Sequence, residues 1–192
     1  FVAWALRTHA EAGGSIVICA PTLVPQARIS LQRVQRALAD TTGLFPAAPI
    51  TISGTTIRAG QAEAVFLSAS PQANVAGHTA SIAIVADEAQ DIDREWFDRQ
   101  FRPMAASTGA PVIMFGTPWD GHSLLDEQVA RNRRRDAAQP GRRFVDWLPL
   151  HYEVPWESVA EAVPAYGRHV RAEMERLGAA HPLFVTQYGL QT

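Results

Sequence analysis

Two adjacent carboxylates, Asp87 and Glu88, follow directly on a short apolar run, Ser81-Ile82-Ala83-Ile84-Val85-Ala86. A continuous hydrophobic run of this length reads as a strand buried on both faces. In open α/β sheets, ligands bind just beyond the carboxyl ends of the strands, which is where this pair falls. Cleaving a phosphoanhydride there needs acids with separate tasks. One holds the Mg²⁺ that bridges the β- and γ-phosphates, and its neighbour orients or deprotonates the attacking water. On that reading Asp87 binds the metal and nucleotide, and Glu88 is catalytic. The competing reading is that the pair caps the helix that follows, because acids favour helix N-termini.

Composition limits what else the chain contains. All 17 basic residues are arginine and none is lysine, so the phosphate-binding loop GxxxxGK[ST] is absent from these 192 residues. A net charge of −2 provides no general attraction for a polyanion, and any nucleic-acid contact must come from local patches. One cysteine, Cys19, excludes a disulfide framework and a cysteine-rich zinc site. The six histidines show no HxxxH or HExxH spacing. Neither a membrane-length apolar run nor a signal-peptide pattern occurs. The expectation is one cytoplasmic domain over residues 1–192, with a core of ordinary size and no membrane partner.

The elements that must position the acids follow from periodicity. Residues 1–12 read as the end of a helix stopped by Gly13-Gly14. Ser15 to Ala20 is a buried strand that ends at Pro21-Thr22. Thr22 is expected to cap a helix whose apolar face carries Leu23, Ala27, Leu31, Val34 and Leu38. Ile50–Ile52, Thr56–Arg58 and Ala64–Ser68 read as antiparallel or edge strands. After the acids, Asp93 is expected to cap a helix with Trp96, Phe97, Phe101 and Met104. Pro111 to Phe115 is another buried strand, ending at Gly116-Thr117-Pro118, and a helix follows through Leu124, Leu125 and Val129. Arg143 to Leu148 is expected to be the last strand, and Pro164 opens a final helix. Strands alternating with helices argue for an α/β fold, a mostly parallel sheet covered on both faces. The five tryptophans are assigned mostly to the core.

Three strand ends thus stand in order: Ala20-Pro21-Thr22, Asp87-Glu88-Ala89-Gln90 and Gly116-Thr117-Pro118. That series resembles the ATPase domain of phage terminase large subunits, the motors that package DNA into capsids. Ala20-Pro21-Thr22-Leu23-Val24-Pro25-Gln26-Ala27 resembles the family's APTxxQA motif, and Ile82 to Glu88 its Walker B strand. Gly116-Thr117-Pro118 resembles its coupling motif, usually Ser/Thr-Thr-Pro. Gly116 stands where a hydroxyl residue is common, leaving Thr117 as the hydroxyl there. Phe101 to Thr108 and His181 to Tyr188 also look like terminases of this type.

The resemblance implies a P-loop NTPase sheet of the ASCE, RecA-like type, N-terminally truncated. Residues 1–12 would be the helix that follows the P-loop, and a nuclease domain would lie downstream. The P-loop strand is expected centrally, beside the Walker B strand. By the same resemblance, Asp87 binds Mg²⁺ and ATP, Glu88 activates water, and Thr117 senses the γ-phosphate. The implied partners are double-stranded DNA, the terminase small subunit, the phage portal and procapsid, and copies of the same chain in a ring within the bacterial cytoplasm.

Arg131, Arg133, Arg134 and Arg135, with Arg142 and Arg143, form a basic cluster. It could contact DNA phosphates or a neighbouring subunit's nucleotide, or complement a helix dipole as a solvated end. Glu63, Asp91 and Asp93 are explained by capping and surface placement. Two alternatives stand beside the packaging motor: a remnant of a DEAQ-box type helicase, suggested by Asp87-Glu88-Ala89-Gln90, and a non-catalytic assembly module that retains the fold. Helicases usually place Ser-Ala-Thr or Gly-Asp-x-x-Gln at the next strand end, which Gly116-Thr117-Pro118 does not match.

Overall fold

The apolar runs become the centre of one sheet. In the computed structural model, which describes residues 1–40, 48–117, 121–138, 152–155 and 188–191, β1 spans Gly14–Ala20, β2 Ile50–Ser53, β3 Thr56–Ala59, β4 Ala62–Ser68, β5 Ala83–Ala86 and β6 Val112–Met114. These six strands form a sheet in the order β2-β3-β4-β1-β5-β6. β4, β1, β5 and β6 are mutually parallel. β2, β3 and β4 form an antiparallel meander at one side, as the alternating pattern after Ile50 predicts.

β1 shows why the sheet is covered twice. Successive side chains point to opposite faces, so Ile16, Ile18 and Ala20 face one core with Phe66 and Val85, while Val17 and Cys19 face another with Ile84 and Ala86. Helices α1, Val2–Thr8, and α2, Arg28–Asp40, supply Leu6, Leu31 and Leu38 to the first. Helix α3, Arg94–Gln100, with the 3-10 turn Arg102–Ala105 after it, supplies Phe97 and Met104 to the second. The Phe97 and Phe101 rings stack at 5.5 Å, and the Arg102 guanidinium lies 5.4 Å from the Phe97 centroid. On the first face, the buried Arg7 donates from Nη2 to the Leu38 carbonyl at 2.8 Å, tying α1 to α2.

Helix α4 spans Leu124–Ala138. Ser123 Oγ accepts from the Asp126 amide at 3.2 Å while Asp126 Oδ2 accepts from the Ser123 amide at 3.2 Å, a reciprocal cap. Asp93 accepts from the Trp96 amide at 2.7 Å and caps α3, as expected. The chain divides into two compact units, Phe1–Gln128 and Val129–Thr192. In the second, β7, Tyr152–Pro155, pairs in parallel with β8, Tyr188–Gln191. No helix among the described residues is long and apolar enough to cross a membrane.

Several expectations are corrected. Thr22 does not cap a helix: its amide and hydroxyl both donate to Gln26 Oε1, at 3.0 and 2.8 Å, because the chain first makes a wide π-type turn, Leu23–Ala27, with Val24 outside helical geometry. That turn rotates Leu23 off the buried face, leaving it 42% exposed. Trp4 is 53% exposed rather than core, and packs against Phe1 with centroids 6.3 Å apart. β7 and β8 lie after the segment expected to hold the last strand. The expected strand at 143–148 and helix from Pro164, with Trp119, Trp147 and Trp156, lie outside the described residues. Finally, β5 has β1 on one side and β6 on the other, so no further strand fits beside it. Among the described residues, the outer positions of this sheet are the edges of β2 and β6.

Candidate active site

Because β4, β1, β5 and β6 run parallel and in register, their carboxyl ends open on one rim. Ser68 is level with Ala20, Cys19 with Ala86, and Ala86 with Met114. Ala20-Pro21-Thr22, Asp87-Glu88 and Gly116-Thr117, widely separated in sequence, therefore leave the sheet from the same rim. The Asp87 amide extends the ladder by donating to the Cys19 carbonyl at 2.8 Å, and the Ala69 amide donates to the Ala20 carbonyl at 2.7 Å.

Asp87 and Glu88 are half-buried. The Ser30 hydroxyl, buried on α2, donates to Asp87 Oδ2. Sequence reasoning gave Ser30 no role, although a signal existed. With Ala27, Leu31, Val34 and Leu38 it falls on the same helical stripe, where a polar residue needs a partner. Cys19 lies beneath the acid. Burial, and secondarily the Asp87 charge, push its thiol well above the ordinary range.

Glu88 is the sole non-glycine residue with positive φ among those described, at φ 53 and ψ 47. A side chain in the left-handed region costs about 1 kcal/mol or more, and such strain concentrates at working sites. The turn sets up a short 3-10 segment, Ala89–Asp91. Glu88 makes no side-chain cap there, Asp87 is engaged by Ser30, and Asp93 caps α3. The capping alternative for the acid pair is thus not what the geometry shows.

Gln90 joins the two tips. Its Nε2 donates to Glu88 Oε2 at 2.8 Å, and its Oε1 accepts from the Thr117 amide at 3.1 Å. Backbone bonds from Ala89 N to Phe115 O and from Phe115 N to Ala86 O, both 2.8 Å, hold the tips together. A β-carbon on Gly116 would lie 2.0 Å from Gln90 Oε1 and 3.1 Å from the Ala89 nitrogen, at φ +156. Glycine suits the coupling position through its positive φ and the close Ala89 nitrogen, and a side chain there would also displace the Gln90 amide. Thr117 is exposed at the rim, and Pro118 lies outside the described residues.

The other acids lie elsewhere in the network. Glu63 pairs with Arg58 across β3 and β4 at 3.0 Å, Asp93 caps α3, and Asp91 Oδ2 accepts from Gln90 Nε2 at 3.4 Å. Arg131, Arg133, Arg134 and Arg135 lie on α4 in the second unit, and Arg142 and Arg143 lie outside the described residues. Among the described residues no group of three or more His, Cys, Asp or Glu side chains could hold a metal ion. A fully protein-caged metal is therefore not indicated there. Mg²⁺ is commonly bound by one or two carboxylates, with water and phosphate completing its shell, and the oxygen groups at Asp87 and Glu88 suit that mode.

No protein-family model matches the sequence, and no curated protein matches it. Solved structures do. The large terminase ATPase domain of Thermus phage P74-26 matches with a TM-score of 0.51 at 17% identity, over 72% of this chain and 76% of that one. The large terminase of a second thermophilic bacteriophage matches with a TM-score of 0.54 at 12% identity, over 70% of this chain and 33% of that one. The large terminase of bacteriophage HK97 matches with a TM-score of 0.54 at 19% identity, over 92% of this chain and 40% of that one. The chain has the fold of the phage large-terminase ATPase domain.

Proposed function

We propose that this chain is part of the ATPase domain of a phage DNA-packaging terminase large subunit, a P-loop NTPase of the ASCE, RecA-like type. In the complete protein, ATP hydrolysis is coupled to translocation of double-stranded DNA. The observation that carries the reading is the presentation of Asp87-Glu88 and Thr117 on adjacent parallel strand ends, joined by one side chain. Likeness of fold to large terminases supports it, as does the order of the three strand-end motifs.

Asp87 would hold Mg²⁺ together with the nucleotide phosphates, and the ion would supply charge neutralisation at the phosphoryl oxygens. Ser30 fixes Asp87 Oδ2 and so orients the carboxylate that would hold the ion. Glu88, placed by its left-handed turn, orients and deprotonates the attacking water. Thr117, exposed at the neighbouring tip, reads the terminal phosphate through its hydroxyl. The phosphate-binding loop comes from outside these 192 residues, which contain no lysine. With β5 flanked on both sides, its strand adds at the outer edge of β6. Arg131, Arg133, Arg134 and Arg135 serve DNA phosphates or a neighbouring subunit's nucleotide. The working assembly comprises DNA, the small subunit, the portal and procapsid, and a ring of copies in the host cytoplasm.

The test uses a protein that carries this domain together with its phosphate-binding loop. Glu88→Gln is expected to slow ATP hydrolysis about 10²–10⁴-fold, the usual worth of a general base, while ATP still binds. Wild-type turnover in that variant removes Glu88 from the mechanism.

A further inference from the structure

The side chain of Gln90 has a donor and an acceptor in one planar group, and the site uses both. Its NH₂ faces the Glu88 carboxylate at 2.8 Å and its oxygen faces the Thr117 N–H at 3.1 Å. The orientation of the amide is dictated by its partners. A flipped amide would set oxygen against carboxylate oxygen and NH₂ against N–H, repulsive at both ends. Four close alternatives fit less well. Glutamate would place a second carboxylate against Glu88, lysine has no acceptor, alanine has neither group, and asparagine is one methylene shorter. The space the amide occupies is kept clear by Gly116, whose β-carbon would come within 2.0 Å of Oε1.

The backbone makes the link specific. Glu88 leaves β5 in the left-handed conformation, and Asp91 N donates back to Glu88 O at 3.0 Å, so residues 88 and 90 lie on one tight turn. Gln90 is half-buried and reaches 27 positions along the chain to the tip after β6. Movement of the 116–117 tip therefore pulls on the same amide that holds the Glu88 carboxylate.

We propose that Gln90 is a positioning residue that ties the Glu88 carboxylate to the backbone of the Thr117 tip, so that the tip's position controls the placement of the acid. The proposal rests on the reading of Glu88 as the base for water attack, and it adds the element that couples that base to the neighbouring strand end. It also couples two sequence positions: a side chain at 116 would displace the amide of Gln90.

The test combines two measurements. In the loop-bearing protein, Gln90→Ala is expected to lower kcat about 10- to 100-fold, the scale of a misplaced reacting group, with KM within about threefold of wild type. Gly116→Ala is expected to lower kcat comparably by displacing the amide. The double variant Gln90→Ala/Gly116→Ala should lose less than the product of the two single losses, because the clash with the amide disappears with its partner while the backbone strain at position 116 remains. Losses that multiply in the double variant overturn the proposal, as does wild-type kcat in Gln90→Ala. Glu88→Gln, run beside them, separates the two ideas. If it abolishes turnover while Gln90→Ala does not, only the Gln90 assignment fails; if it leaves turnover intact, the assignment of the base fails.

The second measurement needs no activity. In the 192-residue chain, hydrogen exchange at the Thr117 amide is expected to accelerate about tenfold or more in Gln90→Ala, with exchange in β1 unchanged. Equal exchange in the two proteins overturns the link even if Gly116→Ala fails to fold.

Discussion

Ser30 and Asp87 are hydrogen-bonded across 57 positions, the hydroxyl of helix α2 donating to the acid at the tip of β5. The contact joins a helix on one face of the sheet to the rim where the acids lie. Ser30 is buried, at 8% exposure, so its loss leaves a half-buried carboxylate without one of its donors. A hydrogen bond to a charged group contributes about 1.5–3 kcal/mol. Ser30→Ala is expected to lower unfolding free energy by about 1–2 kcal/mol in urea titrations at about pH 7. A change within about 0.3 kcal/mol would show that the bond carries no net stability.

Glu88 is where stability and function pull apart. At φ 53, glycine adopts the required backbone without the steric penalty of a β-carbon. Glu88→Gly is expected to be more stable than Glu88→Ala by about 1 kcal/mol, and both are expected to lose hydrolysis in the loop-bearing protein. Equal melting temperatures for the two variants would argue that the turn is unstrained.

Cys19 makes stability depend on pH in the alkaline range. Its thiol is fully buried and raised, by burial first and by the Asp87 charge second, whereas in the unfolded chain it ionises from about pH 8.5. Above that pH the unfolded state gains by releasing a proton that the folded state retains. Stability from this group is complete below about pH 8.5 and declines as pH rises toward the folded value, by about 1.4 kcal/mol per pH unit. Between about pH 7.5 and 9.5, wild type should lose about 1 kcal/mol more than Cys19→Ala loses over the same interval. Parallel losses in the two proteins would exclude the linkage.

Nucleotide chemistry by the 192 residues alone is expected to be absent, because no lysine-bearing phosphate loop is present. Purified chain with ATP and Mg²⁺ should release phosphate at the buffer rate and bind ATP weakly at most. Robust turnover abolished by Glu88→Gln would mean that another group in this chain replaces the loop.

Much of the frame was legible in the sequence because hydrophobic patterning is local. β1 and β5 are largely buried runs of Ile, Val and Ala, because residues that alternate between two cores must be apolar on both sides. β6, expected to be buried, is only half-buried because it lies at the end of the strand order. The alternating meander from Ile50, the Asp93 cap and the acids at the end of β5 were readable for the same reason: each depends on neighbours within a few positions. The absence of a phosphate-binding lysine needed no structure at all. Relations between distant segments had to await folding, because they depend on register. Strand order placed β5 between β1 and β6, and the wide turn at Leu23–Ala27 turned Leu23 outward. Only in the folded chain does Ser30 meet Asp87, and Gln90 meet Thr117. A one-dimensional pattern specifies which face a residue occupies, but the partner of a buried hydroxyl or amide is chosen by how the sheet aligns segments that are tens of residues apart.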